Sequence, residues 1–391
     1  MTDYVKVRIL FAQPSLQPPG GGNGVAAWMI QALRGHHQLT VLTWAEVGLG
    51  EINRHFGTSL CAGDATFVRS HPRLASILAR APLTADLFKT SLFMRDGRRR
   101  AAAFDLAISA NNEADLGSHT LQYVNYPRYE RPRPRTERRW FHLAPALWAY
   151  YRLSDAAAGI SFPRMRANRT LVNSAWTGRL VKRLHGIDAD ILHPPIVISE
   201  RPTEWETRED AFVCLGRIAP EKEIEKVISI LERVRALGHP VGLTIAGSPG
   251  PKGYVAAIQE QVQRRADWIR LEFDLPRPRV ERLLVSHRYG IHGMSEEHFG
   301  MAPAEMASAG CIVFVPGGGG QMEIVHDDPR LVYTSENDAV EKIGAVLGSS
   351  ELRGVLRMAL ADSVTRFGVE AFSNRLRGFV TETGGRPGAK G

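Results

Sequence analysis

Residues 211–237 read AFVCLGRIAPEKEIEKVISILERVRAL: an apolar run, a turn that opens at Gly216, and a segment with apolar residues every three to four positions. This is the pattern of a strand buried on both faces, followed by an amphipathic helix. The same order occurs near the start of the chain, where residues 5–33 read VKVRILFAQPSLQPPGGGNGVAAWMIQAL. Two such segments so far apart indicate two doubly wound α/β units rather than one long sheet.

Short apolar runs predict the other strands of both units. They cover 38–43, 106–109, 122–124 and 169–172 in the first half, and 242–246, 269–273, 289–292 and 312–315 in the second. A chain of 391 residues exceeds what one hydrophobic core usually supports. Pro194 and Pro195 bar helix continuation and hold the chain extended, so the boundary between the units is predicted there.

The composition is that of an ordered globular protein, with 44% apolar and 23% charged residues. Cys61, Cys214 and Cys311 lie far apart in apolar or small-residue contexts, which predicts buried reduced thiols and no structural zinc. The chain opens without a basic segment followed by an apolar one, and no run reaches 18 apolar residues. We therefore expect a cytoplasmic protein without a membrane-spanning segment.

The net charge of +8 is concentrated in arginine clusters at 95–100 and 128–139, which favours anionic partners. Nucleic acid is not the expected partner, because no helix-turn-helix, zinc-finger or RNP-type signature is present. The second cluster leads into an aromatic run at 140–153. That combination is typical of an anchor on an anionic membrane surface, and equally of a helix that packs its aromatic residues into the first unit.

The clearest chemical pattern lies at residues 289–325, YGIHGMSEEHFGMAPAEMASAGCIVFVPGGGGQMEIV. Seven residues separate Glu297 from Glu305, and Gly300 stands between them where a helix would begin. The free amides and the dipole of such a helix would hold a pyrophosphate. Glu305 would then lie about one turn into the helix, close to a ribose, and Glu297 would face a sugar from the preceding loop.

This pattern resembles the Glu-x7-Glu motif of glycosyltransferase family 4, whose members have the GT-B fold. The EHFG version is most similar to the branch that includes the lipid-linked-oligosaccharide mannosyltransferases. The resemblance implies that Glu297 contacts the donor sugar and Glu305 the ribose. It also assigns the contacts with the sugar and the diphosphate to four consecutive residues: His298, Phe299, Gly300 and Met301.

The resemblance also implies the domain organisation. The expected fold class is α/β, with two Rossmann-like doubly wound domains that face each other across a cleft. Residues 1–195 would bind the acceptor and residues 196–365 the donor, while a helix within 366–391 would cross back to the N-terminal domain.

Two further segments are similar to the family. In GRIAPEK at 216–222, the resemblance implies that Arg217 and Lys222 grip the donor diphosphate. Two fixed cations would stabilise the negative charge that develops on the departing nucleotide. In the glycine-rich turn at 20–24, Gly21 and Gly22 would bring the backbone close to the donor phosphate.

Asn125 marks a departure from the family, because many members carry a histidine at the corresponding place, near the donor sugar. An amide can hydrogen-bond to a hydroxyl but cannot carry a proton at neutral pH. Three interpretations stay open: the role is only positional, the donor or acceptor differs, or His119 has taken the place.

The activity implied is that of a retaining glycosyltransferase that moves a hexose from a nucleotide sugar, GDP-mannose or a UDP-hexose. The acceptor would be a saccharide or a lipid-linked saccharide in glycan biosynthesis, reached on the inner face of the membrane. The resemblance implies no metal and no other cofactor. The alternatives are a non-catalytic subunit that binds a nucleotide sugar or a saccharide, and an epimerase or phosphorylase-type enzyme of the same fold.

Overall fold

The computed structural model describes residues 6–18, 20–71, 86–117, 119–128, 152–156, 158–201 and 203–384. The chain divides into two compact units, the first formed by residues 1–193 and 372–391 and the second by residues 194–371. Pro194 and Pro195 therefore stand at the first boundary. The return to the first unit comes at Phe372, six residues later than the start at residue 366 expected from the sequence.

The described strands of the first unit form one parallel sheet. They are β1 (Arg8–Ala12), β2 (Gln38–Thr43), β3 (Thr66–Arg69), β4 (Leu106–Ser109), β5 (Thr120–Val124), β6 (Arg169–Val172) and β7 (Asp190–Ile191). Their order in the sheet is β3-β2-β1-β4-β5-β6-β7. The strands β4 and β5 are buried throughout, as expected for the centre of a sheet that is covered on both faces.

Helices connect these strands. They are α1 (Gly21–Leu33), α2 (Leu49–Phe56), α3 (Asp86–Ala101), α4 (Phe162–Arg166) and α5 (Ala175–His185). The last helix of the chain, Val369–Gly384, joins this unit from Phe372 onward. There, Arg377 Nε donates to the carbonyl oxygen of Ala32 at 2.8 Å, and Arg169 pairs with Glu382 at 3.3 Å.

The second unit repeats the architecture. Its described strands are β8 (Glu209–Leu215), β9 (Gly242–Gly247), β10 (Ile269–Phe273), β11 (His287–Ile291), β12 (Ile312–Pro316) and β13 (Val332–Tyr333). They are parallel in the order β10-β9-β8-β11-β12-β13. The helices are α6 (Ile224–Ala236), α7 (Lys252–Gln263), α8 (Arg277–Ser286), α9 (Met301–Ser308), α10 (Gln321–Ile324), α11 (Glu336–Gly348) and α12 (Ser350–Val364). The terminal helix α13 (Val369–Gly384) begins in this unit and belongs to the first unit from Phe372 onward.

In both sheets the strand order reverses at one place. The reversal lies between β1 and β4 in the first unit and between β8 and β11 in the second. At such a switch point the loops after the two strands leave in opposite directions and open a crevice at the carboxyl edge, where ligands of open α/β sheets bind. The segments after β8 and β11 are those that carry Lys222 and Glu297.

Three strands escape sequence prediction for a physical reason. The sequence of β3, TFVR, is partly exposed along its length, so it produces no apolar run. The strands β7 and β13 are two residues long, too short for any periodicity to appear. Neighbouring strands, and not their own composition, hold these three segments extended.

The glycine-rich turn is a correction. The sequence predicts an open turn through Gly24, but α1 begins at Gly21, with Gly20 as its N-cap at φ 143°. Helical glycine is unfavourable, and tertiary contact explains it here. A Cβ on Gly24 would lie 2.9 Å from the Phe56 ring, so a close approach of α1 and α2 requires glycine.

The cysteine prediction is corrected in part. Cys214 and Cys311 are buried, and burial raises the pKa of each thiol to about 12. Cys61 is exposed, because it precedes a 3-10 turn at the surface, where its backbone amide donates to Asp64 Oδ2 at 2.7 Å. Separately, in the described ranges, every helix is too short or too polar to cross a lipid bilayer.

Candidate functional site

Lys222 and Glu297 meet at the switch point of the second sheet. Lys222 ends a 3-10 turn that follows β8, and Glu297 lies in the loop after β11. Lys222 Nζ lies 2.5 Å from Glu297 Oε2 and 3.4 Å from the Sδ of Met294. Each charged side chain is only about one-fifth exposed, at 21% for Lys222 and 19% for Glu297. Two residues 75 positions apart in sequence thus form one largely buried ion pair.

His292 is a third member of this cluster, and the sequence reading did not single it out. It follows β11 directly, its side chain is 1% exposed, and its Nε2 lies 3.2 Å from Glu297 Oε2. Burial lowers the pKa of His292 more than the nearby carboxylate raises it, so the imidazole is neutral at pH 7. Since the carboxylate can only accept, Nε2 carries the hydrogen. A polar residue directly after a largely buried strand was the signal that could have identified it.

Glu297 is held as a carboxylate. Burial by itself would raise its pKa, but the hydrogen bond from His292 and the charge of Lys222 outweigh burial, so the pKa of Glu297 lies far below its ordinary value. Both partners contact Oε2. The other oxygen, Oε1, is thereby oriented and remains available to accept a hydrogen bond from a hydroxyl group.

The glycine run after β12 fixes the backbone of this loop. The amide of Gly320 donates to the carbonyl oxygen of Glu297 at 2.7 Å, and a Cβ on Gly319 would collide with that same oxygen. Gly319 also has φ 73°, a conformation that favours glycine. Behind the run, the buried Gln321 donates from Nε2 to the carbonyl oxygen of Met294 at 2.7 Å. The run therefore serves to position Glu297.

The segment that the family resemblance assigns to the diphosphate opens α9. Gly300 is the N-cap at φ 103° and has no side-chain cap, so it leaves the first amides of the helix without an internal partner, as every helix start does. Phe299 is buried against Phe367, with ring centroids 5.5 Å apart. Met301 begins the helix and His298 precedes Phe299, both partly exposed. Anion binding at this helix start stays a prediction, for which free amides at a helix N-terminus are suited.

Glu305 lies on α9, as the spacing predicts, but its partner is a residue that the sequence reading missed. Arg277, the first residue of α8, places Nη1 2.5 Å from Glu305 Oε1. The same guanidinium contacts Glu281 Oε1 at 2.9 Å. Burial lowers the pKa of Arg277, but the two carboxylates outweigh burial and raise it. As with Glu297, one carboxylate oxygen of Glu305 is fixed by a basic side chain.

Arg217 does not join Lys222 in this arrangement. Its guanidinium is 60% exposed and pairs with Glu221, four residues along the chain. This local ion pair holds the guanidinium in its exposed orientation. Thus the structure brings together Lys222 and Glu297, and it leaves Arg217 at the rim of the same turn.

In the first unit, two of the predicted residues are neighbours. Asn125 directly follows β5. Its side-chain Nδ2 would lie 3.4 Å from a Cβ atom added to Gly22. Gly21, the residue before it, opens α1. The backbone amide of Asn125 is bound by Asn112 Oδ1 at 2.9 Å. His119 precedes β5 and is exposed, so it lies at the opposite end of the strand and does not stand in for a histidine at Asn125.

Most of the basic and aromatic segment at 128–153 lies outside the described residues. At its start, Arg128 Nη2 donates to the carbonyl oxygen of Asn111 at 2.7 Å. At its end, Leu153 is 67% exposed. The two interpretations of this segment therefore remain predictions from the sequence.

Acidification is expected to weaken the fold through the buried histidines of the second unit. Burial is the main cause that lowers the pKa of both His287 and His292 in the folded chain. As the pH falls, the unfolded chain binds protons first. The contribution of these histidines to the free energy of unfolding is therefore fully present above about pH 6.5. Below that pH the free energy of unfolding declines by about 1.4 kcal/mol per pH unit for each such histidine. The pKa of Glu297 is also depressed, so its contribution is lost only in stronger acid.

Urea unfolding between about pH 7.5 and pH 5.5 measures this effect. The variant His287→Asn should show a shallower decline than the parent chain. An unfolding free energy that stays constant or rises on acidification would contradict the assignment of these histidines as neutral.

Comparison with known proteins finds similar sequences and similar folds. Residues 198–359 match the family model described as "Glycosyl transferases group 1". The curated relatives include proteins named GDP-Man:Man(3)GlcNAc(2)-PP-Dol alpha-1,2-mannosyltransferase. The Dictyostelium discoideum protein is 23% identical over 54% of this chain and 46% of its own length, and the Homo sapiens protein is 25% identical over 52% and 46%. The chain thus spans less than half the length of these relatives.

Solved structures extend the similarity to nearly the whole chain. WaaG, a glycosyltransferase involved in lipopolysaccharide biosynthesis, has a TM-score of 0.67 at 15% identity and covers 95% of this chain and 99% of its own. Anabaena Alr3699/HepE in complex with UDP and glucose has a TM-score of 0.65 at 15% identity, with 96% and 99% covered. The predicted fold is confirmed: the chain has the GT-B fold with two Rossmann-like units, and residues 198–359 match the Glycosyl transferases group 1 model.

Proposed function

We propose that this protein is a retaining glycosyltransferase of family 4 that transfers mannose from GDP-mannose to a lipid-linked saccharide. The observation that supports this most directly is the cluster of Lys222, Glu297 and His292 at the switch point of the second sheet. A buried ammonium, an ionised carboxylate and a helix start come together where open α/β sheets bind their ligands. Such a set suits a negatively charged, hydroxyl-bearing donor.

In the proposed reaction, Lys222 would stabilise the departing nucleotide. The ammonium of Lys222 has three N–H donors, of which Glu297 and the Met294 sulfur account for two. A third is available for the diphosphate, where charge builds as the bond to the sugar breaks. Together with the amides that open α9, it would stabilise the departing nucleotide in the transition state. Arg217, at the rim of the turn, would add a second cation.

The two motif glutamates would bind the donor's hydroxyl groups. Glu297 offers Oε1 to the sugar, because Lys222 and His292 both contact Oε2. Glu305 offers Oε2 to the ribose, because Arg277 contacts Oε1. A carboxylate with one oxygen fixed accepts a hydrogen bond at a defined angle, so it orients the anomeric carbon. In the first unit, the family resemblance still assigns Gly22 to the donor phosphate and Asn125 to the surroundings of the donor sugar.

We propose that the reaction needs no bound metal, since Lys222, Arg217 and the start of α9 supply the positive charge that a metal would otherwise provide. Turnover should therefore be the same with and without excess EDTA. A loss of turnover on chelation that Mg²⁺ or Mn²⁺ restores would contradict this part of the proposal.

The mannose donor and the lipid-linked acceptor rest on the printed names of the relatives and on the EHFG segment. A lipid-linked acceptor places the protein at the cytoplasmic face of a membrane as a peripheral protein, where the arginines at 128–139 would face anionic lipid. Sedimentation with anionic liposomes tests this contact. It should fall when those arginines are replaced by glutamine, and unchanged sedimentation would remove the membrane from the proposal.

A thermal-shift screen tests the function itself. The melting temperature should rise by about 5 °C with saturating GDP or GDP-mannose, and less with UDP or UDP-glucose. Transfer is then followed by product analysis, in which retention at the anomeric carbon is expected. Stabilisation without turnover would identify a binding subunit, and an epimerised nucleotide sugar would identify an epimerase. No response to any nucleotide would remove the proposal.

A further inference from the structure

Arg277 breaks a local rule of helix stability. It is the first residue of α8, where a positive charge opposes the helix dipole, and the first turn of that helix contains no acidic residue. Yet the side chain is largely buried, at 24% exposed. When a residue disagrees with its local structure in this way, tertiary contacts at a functional site are the usual reason.

Those contacts join three segments of the second unit. Arg277 binds Glu305 Oε1 at 2.5 Å, Glu281 Oε1 at 2.9 Å and the carbonyl oxygen of Val197 at 2.5 Å. Glu281 in turn accepts from the backbone amides of Ser199 at 2.9 Å and Glu200 at 3.2 Å. The network thus runs from the second motif glutamate to residues 197–200, the segment that opens the second unit.

The planar guanidinium of Arg277 fixes the orientation of the carboxylates that it binds. Its N–H groups lie in a rigid fork, so contacts on three sides fix the plane of the group and hence the carboxylate that it holds. Arg277 donates its hydrogen bond to Oε1 of Glu305, so Oε2 is directed away from the guanidinium. A lysine at position 277 would supply the positive charge but not the planar set of N–H donors.

We propose that Arg277 is a positioning residue that orients Glu305 Oε2 to accept a ribose hydroxyl, and so makes the site selective for ribonucleotides over deoxyribonucleotides. This inference rests on the proposed function, because it requires a nucleotide donor. Its energetic basis is that a ligand without the hydroxyl leaves an oriented, largely buried carboxylate oxygen unpaired, which is costly. If Glu305 can rotate, that cost disappears.

The test compares the dissociation constants of GDP, 2′-deoxy-GDP and 3′-deoxy-GDP by calorimetry, or of the corresponding uridine nucleotides if UDP stabilises the protein more. In the parent chain, one of the two deoxy forms should bind at least about tenfold more weakly than the ribonucleotide. In Arg277→Met, GDP itself should bind about tenfold more weakly, and the ratio between ribo and deoxy forms should fall to about two or less. Arg277→Lys should give an intermediate ratio.

Arg279→Met is the matched control, because Arg279 lies two residues further along the same helix and is exposed. It should keep the parent ratio. If Arg277→Met keeps the parent ratio between ribo and deoxy dissociation constants, the inference is overturned and the proposed function still stands. If the methionine variant does not fold, the same outcome in Arg277→Lys decides the question. Equal binding of the ribo and deoxy forms by the parent chain would also overturn it. A parent chain that binds neither GDP nor UDP would instead remove the proposed function.

Discussion

Replacement of Glu297 by glutamine is expected to lower kcat by about 10²- to 10³-fold while the protein stays folded. Glutamine has the same shape, but its single carbonyl oxygen must replace Oε2 to accept from both Lys222 and His292, and this puts an NH₂ group in the place of Oε1. The group that faces the sugar then donates a hydrogen bond instead of accepting one, and the negative charge beside Lys222 is lost. The lost interaction acts on the reacting sugar, so the effect should fall mainly on kcat rather than on KM.

The stability of this variant is part of the prediction. Loss of the carboxylate leaves the ammonium of Lys222 largely buried without its counter-charge, which should reduce the free energy of unfolding by about 1–3 kcal/mol. Glu296→Gln is the matched control, because Glu296 is the adjacent residue and is exposed. Urea unfolding and donor turnover are measured on both variants. Near-normal turnover in Glu297→Gln would refute the site assignment, and a parallel loss in Glu296→Gln would refute its specificity.

Replacement of Lys222 by alanine is expected to have the second large effect, a loss of about 10²- to 10⁴-fold in kcat. Lys222 is the buried cation of the cluster, and negative charge grows on the diphosphate as the nucleotide departs. Because that charge is larger in the transition state than in the bound donor, kcat should fall much more than KM rises. Lys222→Arg should recover part of the loss, since it keeps the charge but not the compact geometry of an ammonium.

Steady-state kinetics with GDP-mannose at saturating acceptor measures this effect. Lys252→Ala provides the control, because Lys252 is an exposed lysine at the start of α7 and should leave kcat unchanged. A Lys222→Ala variant in which only KM rises would mean that the ammonium binds the donor without assisting departure. That result would refute the proposed role of the cluster in catalysis.

The sequence predicted the secondary structure well wherever local physics was sufficient. The strands 38–43, 106–109, 169–172 and 269–273 were predicted with the bounds that the structure shows, because short segments rich in apolar and β-branched residues favour strands. The strand Thr66–Arg69 was missed, because only two of its four residues are apolar and none of them is fully buried. The glycine-rich turn was misread as a loop for the opposite reason, since its glycines serve the close approach of two helices.

The site was predicted only in part. The residues that belong to a local sequence motif were predicted, and the partners that reach them from elsewhere in the fold were not. The Glu-x7-Glu spacing identified Glu297 and Glu305, and the turn after β8 identified Lys222. His292 and Arg277 were missed, although each contacts one of these glutamates. Arg277 reaches Glu305 across 28 residues of sequence, and no local pattern marks such a pair.

The sequence by itself determined the order of strands and helices, the glycine positions at which backbones approach, and the residue types available for a diphosphate and a sugar. These are local properties, governed by periodicity and steric limits over a few residues. Only the tertiary structure decided which charges pair: Lys222 with Glu297, Arg277 with Glu305, and Arg217 with Glu221. Ion pairing depends on distances of a few ångströms between distant segments, and the strand order of the sheet sets those distances.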